Sequence, residues 1–556
     1  MVITLVGLRI SEVSGHQFSN FHQYDRSSED NDVKESARKF TWGILATVLA
    51  SCASLPPNTD RTASYVLEDT QDTFLGRNFA RESQGHANQS GFHLLDNGLD
   101  AFVARVALAS VAERGIDTQY YMIHNDVVGS LFVNSLLKAA DRGVRVRVLV
   151  DDIDQGGRDE GAAILDLHPN IEVRIFNPFG RNVGRTIQFA TGFGKQTRRA
   201  HNKSFTVDNL ATILGGRNIG DEYFNANPEL AFADMDVLSI GPVAREVSSS
   251  FDLYWNSELS YPIDSLVENL PTEEQAAQRK KRFDDFVAQQ RQSNYMQHLR
   301  DSNFAKALTE KGPEKALEYS WGIGKVVADD PEKLKTDTSN SEYRLTEQLR
   351  PYVEGVQSDL IIFSPYFIPG KAGSAFLGSL RKKGVRVRIL TNSLSSTDVA
   401  AVHSGYSKYR EQLLRLGVEL YELNTKLSEA ERDVMREGGI GDSKASLHAK
   451  SFVLDRQRVF IGSLNLDPRS IIQNTEIGVV FDSPEIAEPM AEWFDKKIGQ
   501  VAFRLELVDN GRGGEQIAWY GLVDGEQQTL YVDPYTSLWQ RFVVGFLKVF
   551  PVDSQM

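Results

Sequence analysis

Two octapeptides of this chain carry a histidine, a lysine and an aspartate at the same spacing. Residues 201–208 are HNKSFTVD and residues 448–455 are HAKSFVLD. An imidazole can attack as a nucleophile or carry a proton near neutral pH, and a lysine supplies a positive charge. Such a set suits the cleavage of a phosphodiester, whose charge must be held while a bond breaks. Two copies provide one imidazole to attack and one to protonate the leaving oxygen.

Each octapeptide is predicted to begin a β-hairpin. SFTVD and ATILGG have the composition of two strands joined by a two-residue turn at 209–210. The register set by that turn places His201 beside Asn218, and the same register in the second copy places His448 beside Asn465. An asparagine amide donates hydrogen bonds, so each hairpin would present a histidine, a lysine and an amide to one phosphate.

The aspartates that close the octapeptides, Asp208 and Asp455, have two interpretations. They belong to the repeated motif, so they could be part of the catalytic set. Side chains alternate between the faces of a strand, however, and this turns both aspartates away from the histidines and lysines. Alternation favours a structural role for both.

The hairpins lie within a larger repeat. RGVRVRVL at 142–149 recurs as KGVRVRIL at 383–390, a displacement of 241 residues, and the octapeptides are displaced by 247. Each copy has a helical pattern, then a β-branched strand, then further α/β segments. The pattern predicts a duplicated α/β domain. The polar, helix-prone stretch between the copies is predicted to be a connection.

Composition excludes several classes of protein. With 556 residues, 41% of them hydrophobic and 24% charged, the chain has the size and composition of a globular protein with two or more domains. A net charge of −14 argues against a surface built to hold nucleic acid. No apolar stretch reaches the ~18 residues that a spanning helix needs. The sequence has no HExxH and no cysteine cluster, so we expect neither a metal nor another cofactor.

The single cysteine, Cys52, ends the run KESARKFTWGILATVLASC. A basic flank before a short apolar segment is typical of a secretory signal, and LASC resembles the lipobox of bacterial lipoproteins. The alternative is a buried free thiol on an N-terminal helix. About thirty polar residues precede the flank, and we expect translation to begin near Val33. The resemblance to lipoproteins implies that an aspartate after the cysteine would signal inner-membrane retention, so Ala53 at that position favours the outer membrane of the cell envelope.

The doubled H-x-K-x(4)-D pattern, followed by GGRNIGDEYF and GSLNLDPRS, resembles the phospholipase D superfamily. DTQYYMIHND, SPYFIPG and RVRILTNSLSSTDVAAVHSGY are most similar to bacterial cardiolipin synthases of the C type and related lipoproteins. The resemblance extends from about Gly91 to the C-terminus. It implies two pseudo-symmetric α/β/α domains with mixed sheets and an active site at their interface.

The resemblance also implies roles for individual residues. His201 would be the nucleophile and His448 the general acid. Where the second copy has Ser463, the first has Gly216, so one hydroxyl donor lacks a counterpart. The other residues that the resemblance places in the site are the motif residues Lys203, Asp208, Lys450 and Asp455, and the phosphate-binding or supporting residues Asn218, Asn465, Asp234 and Glu476.

These observations divide the chain into predicted segments. They are a leader at 1–52, a tether and extension at 53–90, a first phospholipase D-like domain at 91–260, a helical connection at 261–340, a second domain at 341–500 and a C-terminal extension at 501–556. The implied activity is transfer of a phosphatidyl group between phospholipids to form cardiolipin through a phosphohistidine. The alternatives are a phospholipase D hydrolase and a nuclease-type phosphodiesterase.

Three features of the sequence have two interpretations each. The final apolar stretch SLWQRFVVGFLKVF is either a packed helix or an interfacial membrane helix. His124 lies in the phrase YYMIHND and could line the pocket, although its spacing does not require this. A basic run just before His201 is either a solvated loop or a surface that attracts phosphate; it contains Arg181, Arg185, Lys195, Arg198 and Arg199.

Overall fold

The structure is a computed structural model that describes residues 55–59, 61–182, 184–185, 188, 197–227, 232–313, 315–437 and 446–548. The described residues belong to one compact unit. Two predicted features, the lipobox with Cys52 and the basic residue Lys195, lie outside the described residues.

The first half of the described chain is a mixed sheet with helices packed against it. The strands of this half, all of which except β7 belong to that sheet, are β1 (Ser90–Leu95), β2 (Gly115–Tyr120), β3 (Arg145–Asp151), β4 (Ile171–Phe176), β5 (Ser204–Val207), β6 (Ala211–Gly215), β7 (Phe232–Ala233), β8 (Asp236–Ile240), β9 (Ser260–Pro262) and β10 (Ser320–Gly322). Its helices are α1 (Phe74–Glu82), α2 (Gly98–Val111), α3 (Val127–Asp141), α4 (Asp159–Asp166), α5 (Pro242–Trp255), α6 (Glu273–Gln290), α7 (Asn294–Asp301) and α8 (Asn303–Lys311).

The second half repeats this design. Its strands are β11 (Gly324–Ala328), β12 (Asp359–Phe363), β13 (Arg386–Thr391), β14 (Glu419–Leu423), β15 (Ser446–Leu447), β16 (Ser451–Leu454), β17 (Arg458–Gly462), β18 (Ile477–Asp482), β19 (Ala502–Asp509), β20 (Glu515–Val523) and β21 (Glu526–Leu530). Its helices are α9 (Leu345–Glu354), α10 (Gly370–Lys382), α11 (Ala400–Ser407), α12 (Arg410–Arg415), α13 (Glu429–Glu437), α14 (Pro484–Val501) and α15 (Leu538–Leu547).

The strand orders of the two sheets confirm the predicted duplication. The described part of the first sheet has the order β10-β1-β8-β6-β5-β2-β3-β4-β9, and the second has β11-β18-β17-β16-β12-β13-β14-β19-β20-β21. The strands β2, β3 and β4 are parallel, as are β12, β13 and β14, and the other pairings within the two sheets are antiparallel. Helices connect the parallel strands because a parallel crossover needs a long connection. Both sheets are therefore mixed, as the sequence predicts.

The sheets extend beyond the predicted segment limits. β10 and β11 both come from the predicted connection, and β10 joins the first sheet whereas β11 joins the second. β19 to β21 come largely from the predicted C-terminal extension and continue the second sheet from β14. The inner faces of the sheets pack together, with the rings of Phe92 and Phe481 stacked 4.2 Å apart.

The hairpin register differs by one residue from the predicted register. Val207 pairs with Ala211, and the second hairpin has the equivalent pairing. Asp208 and Asn209 form the turn with φ values of 50° and 56°, a left-handed conformation that Asp and Asn tolerate better than most residues. The Asp208 carboxylate holds this turn because it accepts hydrogen bonds from the backbone amides of 113–115. The predicted pairing of histidine with asparagine across each hairpin was therefore wrong by one residue.

Candidate active site

Two short backbone bridges join the halves beside the predicted site. Ala200 pairs with Thr475, and Ala233 pairs with Leu447 where β7 meets β15. The residue that follows each of these four is a histidine or a carboxylate of the predicted site. The bridges therefore bring two histidines and two carboxylates together between the halves.

Each histidine is paired with a carboxylate from the other half. Nδ1 of His201 lies 2.8 Å from Oε2 of Glu476, and Nδ1 of His448 lies 2.5 Å from Oδ2 of Asp234. Both histidines and both carboxylates are buried. A carboxylate on Nδ1 fixes the orientation of the ring and leaves Nε2 for a reacting group. Because the pairs cross between the halves, neither half contains a complete site.

The motif lysines lie against the histidines of their own hairpins. Nζ of Lys203 donates to the carbonyl oxygen of His201 at 2.8 Å, and Nζ of Lys450 donates to that of His448 at 2.6 Å. Burial lowers the pKa of Lys203 to about 7 and that of Lys450 to about 8. An anion in the site would stabilise the charged form of both ammonium groups.

The two predicted asparagines have buried amide oxygens that accept no hydrogen bond from the residues that the structure describes. These atoms are Oδ1 of Asn218 and Oδ1 of Asn465. The amide nitrogen of Asn218 donates to the hydroxyl of Tyr223 at 2.8 Å. A buried polar atom without a partner is unfavourable, so a ligand or water that supplies a donor would be stabilised here.

The difference between Gly216 and Ser463 has a steric cause. A Cβ atom at Gly216 would collide with the Asp234 carboxylate, so a serine does not fit in the first half. In the second half, the Ser463 hydroxyl donates to Oε2 of Glu476. The two histidine pairs therefore differ, because only the carboxylate partner of His201 receives this hydroxyl.

The electrostatics of the two pairs also differ. Burial, reinforced by the neighbouring lysines, holds the pKa of His201 well below its usual value. Burial also raises the pKa of Glu476 to about 7. In the other pair, burial lowers the pKa of His448, but the charge of Asp234 opposes that shift. Burial by itself would raise the carboxyl pKa of Asp234, but the neighbouring charges of His448 and Lys450 lower it. Burial therefore disfavours the charged form of both histidines, but at His448 the charge of Asp234 works against that effect.

The lysine shifts predict a fall in substrate affinity at alkaline pH. Above the folded-state pKa values of about 7 for Lys203 and about 8 for Lys450, the free site loses the charges that face an anion. We expect kcat/KM to fall above about pH 7, since this ratio reports ionisation of the free enzyme. Lys203→Arg should shift the fall to higher pH because a guanidinium stays charged. Lys280→Arg, on the exposed face of α6, is the matched control, and identical pH profiles for wild type and Lys203→Arg would contradict the assignment.

The structure places Asp208 and Asp455 away from the histidines. The Asp208 carboxylate accepts the backbone amides of 113–115, and that of Asp455 accepts the backbone amides of 357–359. These amides lie at the start of β2 and beside β12. Asp208 is seven residues beyond His201 along the chain, or ~20 Å in an extended strand. These contacts fit the structural role that side-chain alternation predicts for both aspartates, and their inclusion in the catalytic set stays an untested prediction.

Aromatic side chains around the histidines were missed by the sequence analysis. Tyr121 lies edge-on to His201 with ring centroids 4.8 Å apart, and Tyr223 and Phe232 each lie 5.3 Å from His448. The phrase YYMIHND contains Tyr121, but no spacing in it indicates a contact with a residue eighty positions away. Arg469 was also missed, although its positive charge is one of those that lower the pKa of His201.

His124 lies in an acidic cluster beside these aromatic residues. Ligand atoms of His124, Asp126 and Glu222 lie within 4.8 Å of one another, which is close enough for a metal ion. The hydrogen bond that His124 donates to the Glu222 carboxylate raises the pKa of the imidazole, so the contacts also fit an ion-paired imidazole. The predicted absence of a metal requirement stays a prediction.

The arginines of the basic run are largely neutralised by the protein itself. Arg181 and Arg185 pair with Asp152, and Arg199 pairs with Asp151 at 2.7 Å. Arg199 is fully buried. These contacts organise the backbone just before His201, and they leave little charge from these arginines to attract a phosphate.

Comparison with known proteins finds the same family in both halves of the chain. A family model described as "Cardiolipin synthase, PLD-like domain" matches residues 107–255 and 352–498, one match in each half. Cardiolipin synthase C of Escherichia coli is 40% identical over 470 residues, which cover 84% of this chain and 96% of the relative. An uncharacterized protein of Helicobacter pylori is 31% identical over 510 residues, covering 90% of this chain and 96% of the relative.

Among solved structures, a phosphatidylserine synthase of Haemophilus influenzae is similar, with a TM-score of 0.49 and 14% identity. The match covers 75% of this chain and 90% of that chain.

Proposed function

Because the chain belongs to the cardiolipin synthase family of phospholipase D-like proteins, we propose that it transfers a phosphatidyl group from one phospholipid to an alcohol of another and so forms cardiolipin. The observation that carries the proposal is the pair of buried histidines, each held by a carboxylate from the other half and accompanied by a lysine. The family match in both halves and the 40% identity to a cardiolipin synthase support the choice of lipid substrates.

The proposed reaction has two steps. Nε2 of His201 attacks the phosphorus, the bond to the leaving alkoxide breaks, and His448 gives that oxygen its proton. The product is a phosphatidyl-histidine and a free alcohol. His448 then takes the proton of an acceptor hydroxyl, whose oxygen attacks the phosphorus and releases His201. Lys203 and Lys450 hold the phosphate charge in both steps.

The proposed roles follow from the difference between the two pairs. A nucleophile needs a free lone pair, and burial keeps the imidazole of His201 neutral. A general acid must hold a proton until the leaving group needs it, and the Asp234 carboxylate on Nδ1 of His448 favours this because its charge raises the pKa of the imidazole against the effect of burial. Pairs of groups in different environments are a common basis for acid and base assignment.

Two other reactions use the same intermediate. Attack by water would make the protein a phospholipase D hydrolase, and a nucleic acid in place of the lipid would make it a nuclease. The net charge of −14 disfavours a nucleic-acid substrate. Hydrolysis is expected as a side reaction when water reaches the intermediate.

The function is tested by lipid analysis of a bacterial strain that lacks its own cardiolipin synthases. Expression of the wild-type chain should produce cardiolipin, and His201→Ala should not, because the nucleophile is gone. His298→Ala, an exposed histidine on α7, is the matched control and should behave as wild type. Phosphatidic acid without cardiolipin would instead indicate the hydrolase, and cardiolipin formed by His201→Ala would refute the proposed nucleophile.

We also propose that Cys52 is lipidated and anchors the protein in the cell envelope, with the catalytic unit in the periplasm. The support is the sequence pattern alone: a basic flank, a short apolar segment and small residues before the cysteine. None of the described helices has the length and apolarity to span a bilayer. The residue after the cysteine, Ala53, favours the outer membrane.

Processing of the precursor tests the anchor. Cys52→Ser should leave the chain unprocessed and remove the acyl-dependent mass increase, whereas Ser51→Ala should be processed normally because small residues are accepted there. Intact mass and N-terminal sequencing measure both. A mature chain that begins at a residue other than 52 would contradict the proposal.

A further inference from the structure

The last described helix, α15, exposes an unusual number of large apolar side chains. Leu538, Trp539, Phe542 and Phe546 are 80%, 70%, 62% and 56% exposed, respectively. At ~100° per residue these four positions fall within about 100° of the helix surface, so they form one face. We call these four residues the aromatic face. The opposite side of the helix carries the buried Val544.

The charges of α15 are complementary to an anionic surface. The segment 537–548 contains Arg541 and Lys548 and no acidic residue, although the whole chain has a net charge of −14. By helical position the two cations lie beside the aromatic face rather than on it. Apolar and aromatic residues on one face, with cations beside them, are typical of helices that lie in a membrane interface.

The position of α15 connects the aromatic face to the active site. α15 packs against α11, and the ion pair of Arg410 with Asp533 at 2.8 Å ties down the segment before the helix. α11 directly follows the loop that contains Asp398, whose charge acts on Lys450. The Asp398 carboxylate also accepts the hydroxyl of Tyr366 at 2.7 Å. The aromatic face on α15 is therefore connected to Lys450 through α11 and the loop that contains Asp398.

We propose that the aromatic face of α15 inserts into the surface of an anionic phospholipid bilayer and positions the active site beside its lipid substrates. The proposal rests on the proposed function, since phospholipids that form a bilayer must be taken from its surface. It adds a second contact with the membrane that does not depend on Cys52. It also assigns the exposed rings a partner that offers both an apolar interior and negative headgroups.

The first experiment measures vesicle binding of the chain from residue 53 onward, which retains the whole compact unit and lacks both the apolar leader and the acylated cysteine. Vesicles contain phosphatidylglycerol and phosphatidylethanolamine. Adding Trp539→Ala and Phe542→Ala should weaken binding by at least ~30-fold, because two rings no longer leave water. Replacing phosphatidylglycerol with phosphatidylcholine should also weaken binding, and Arg541→Gln should lower this dependence on anionic lipid by about fivefold.

The matched control removes two other exposed leucines. Leu167→Ala with Leu253→Ala, at side chains in the first half that are 51% and 56% exposed, should bind vesicles as the parent does. All variants should turn over dihexanoyl-phosphatidylglycerol equally at concentrations below micelle formation, because a dissolved substrate needs no docking surface. If the parent chain does not turn over this lipid, the proposed function is wrong. The vesicle-binding measurement does not depend on turnover, so it still tests whether the aromatic face binds the membrane.

A fluorescence measurement covers the possibility that the double variant is misfolded. Brominated phospholipids quench tryptophans that enter the bilayer, and the quenched signal should disappear in Trp539→Phe, which retains an aromatic ring and should still bind vesicles. Unchanged vesicle binding by the double variant would overturn the proposal. So would a dimeric parent that becomes monomeric in the double variant without losing vesicle binding, since the face would then contact a second copy of the chain.

Discussion

Replacing His201 with alanine is expected to abolish covalent capture of the phosphatidyl group and to lower turnover by at least ~10⁴-fold, because no other side chain can replace the nucleophile. Labelled substrate mixed with the wild-type protein and quenched in base should leave label on the chain at His201, since phosphohistidine survives base better than acid. The variant should carry none. His298→Ala, at an exposed position on α7, should label as the wild type does.

The double variant gives a further check on this assignment. If His201 and His448 act as one unit, removal of both should be little worse than removal of His201 alone. If the two histidines contributed independently, the fold-losses in turnover of the two single variants would multiply in the double variant. Label that persists at another residue of His201→Ala would show that the nucleophile lies elsewhere.

Replacing His448 with alanine is expected to lower turnover of natural phospholipids by about 10²–10⁴-fold, the usual contribution of a positioned general acid. The same variant should still be labelled by a phosphodiester with a nitrophenol leaving group, because that group departs without a proton. A nitrophenyl substrate should therefore be cleaved to a covalent intermediate by His448→Ala and not by His201→Ala. Rapid-quench labelling of the two variants measures this difference.

A variant of Asp234 tests whether this carboxylate supports His448 in its proposed role as general acid. Asp234→Asn keeps the shape of the side chain beside His448 but removes its charge, so it should impair the natural substrate more than the nitrophenyl substrate. Equal loss of labelling in His201→Ala and His448→Ala would contradict the assignment of one histidine as nucleophile and the other as general acid. Labelling retained only in His201→Ala would reverse them.

The exchange of roles is not excluded by the sequence, because the two hairpins are almost the same. What distinguishes them is the environment that the fold supplies. Glu476 beside His201 receives the Ser463 hydroxyl and has a pKa raised to about 7 by burial, whereas Asp234 beside His448 faces Gly216 at the equivalent position and has a lowered pKa because of the charge of His448. A steric clash at Gly216 prevents the first half from matching the second. This difference between the two environments supports the proposed division of roles between the histidines.

Local patterns in the sequence were sufficient to predict the chemistry and the repeat. Matched residue types at matched spacing indicated two hairpins, and β-branched strands alternating with helical segments predicted two mixed α/β domains, which the strand orders confirm. The two-residue period of a strand also predicted that Asp208 and Asp455 point away from the histidines. These inferences succeeded because each depends on residues that are close together in the chain.

The tertiary structure decided what depends on residues far apart. The partners His201 and Glu476 are separated by 275 positions, and His448 and Asp234 by 214, so no local period could assign them. The hairpin register depended on amides at 113–115, outside the hairpin, that hold the Asp208 turn. The same limit applies to α15. Its periodicity fits either a packed helix or an interfacial one, and the packing of the described residues decides which of its side chains are exposed.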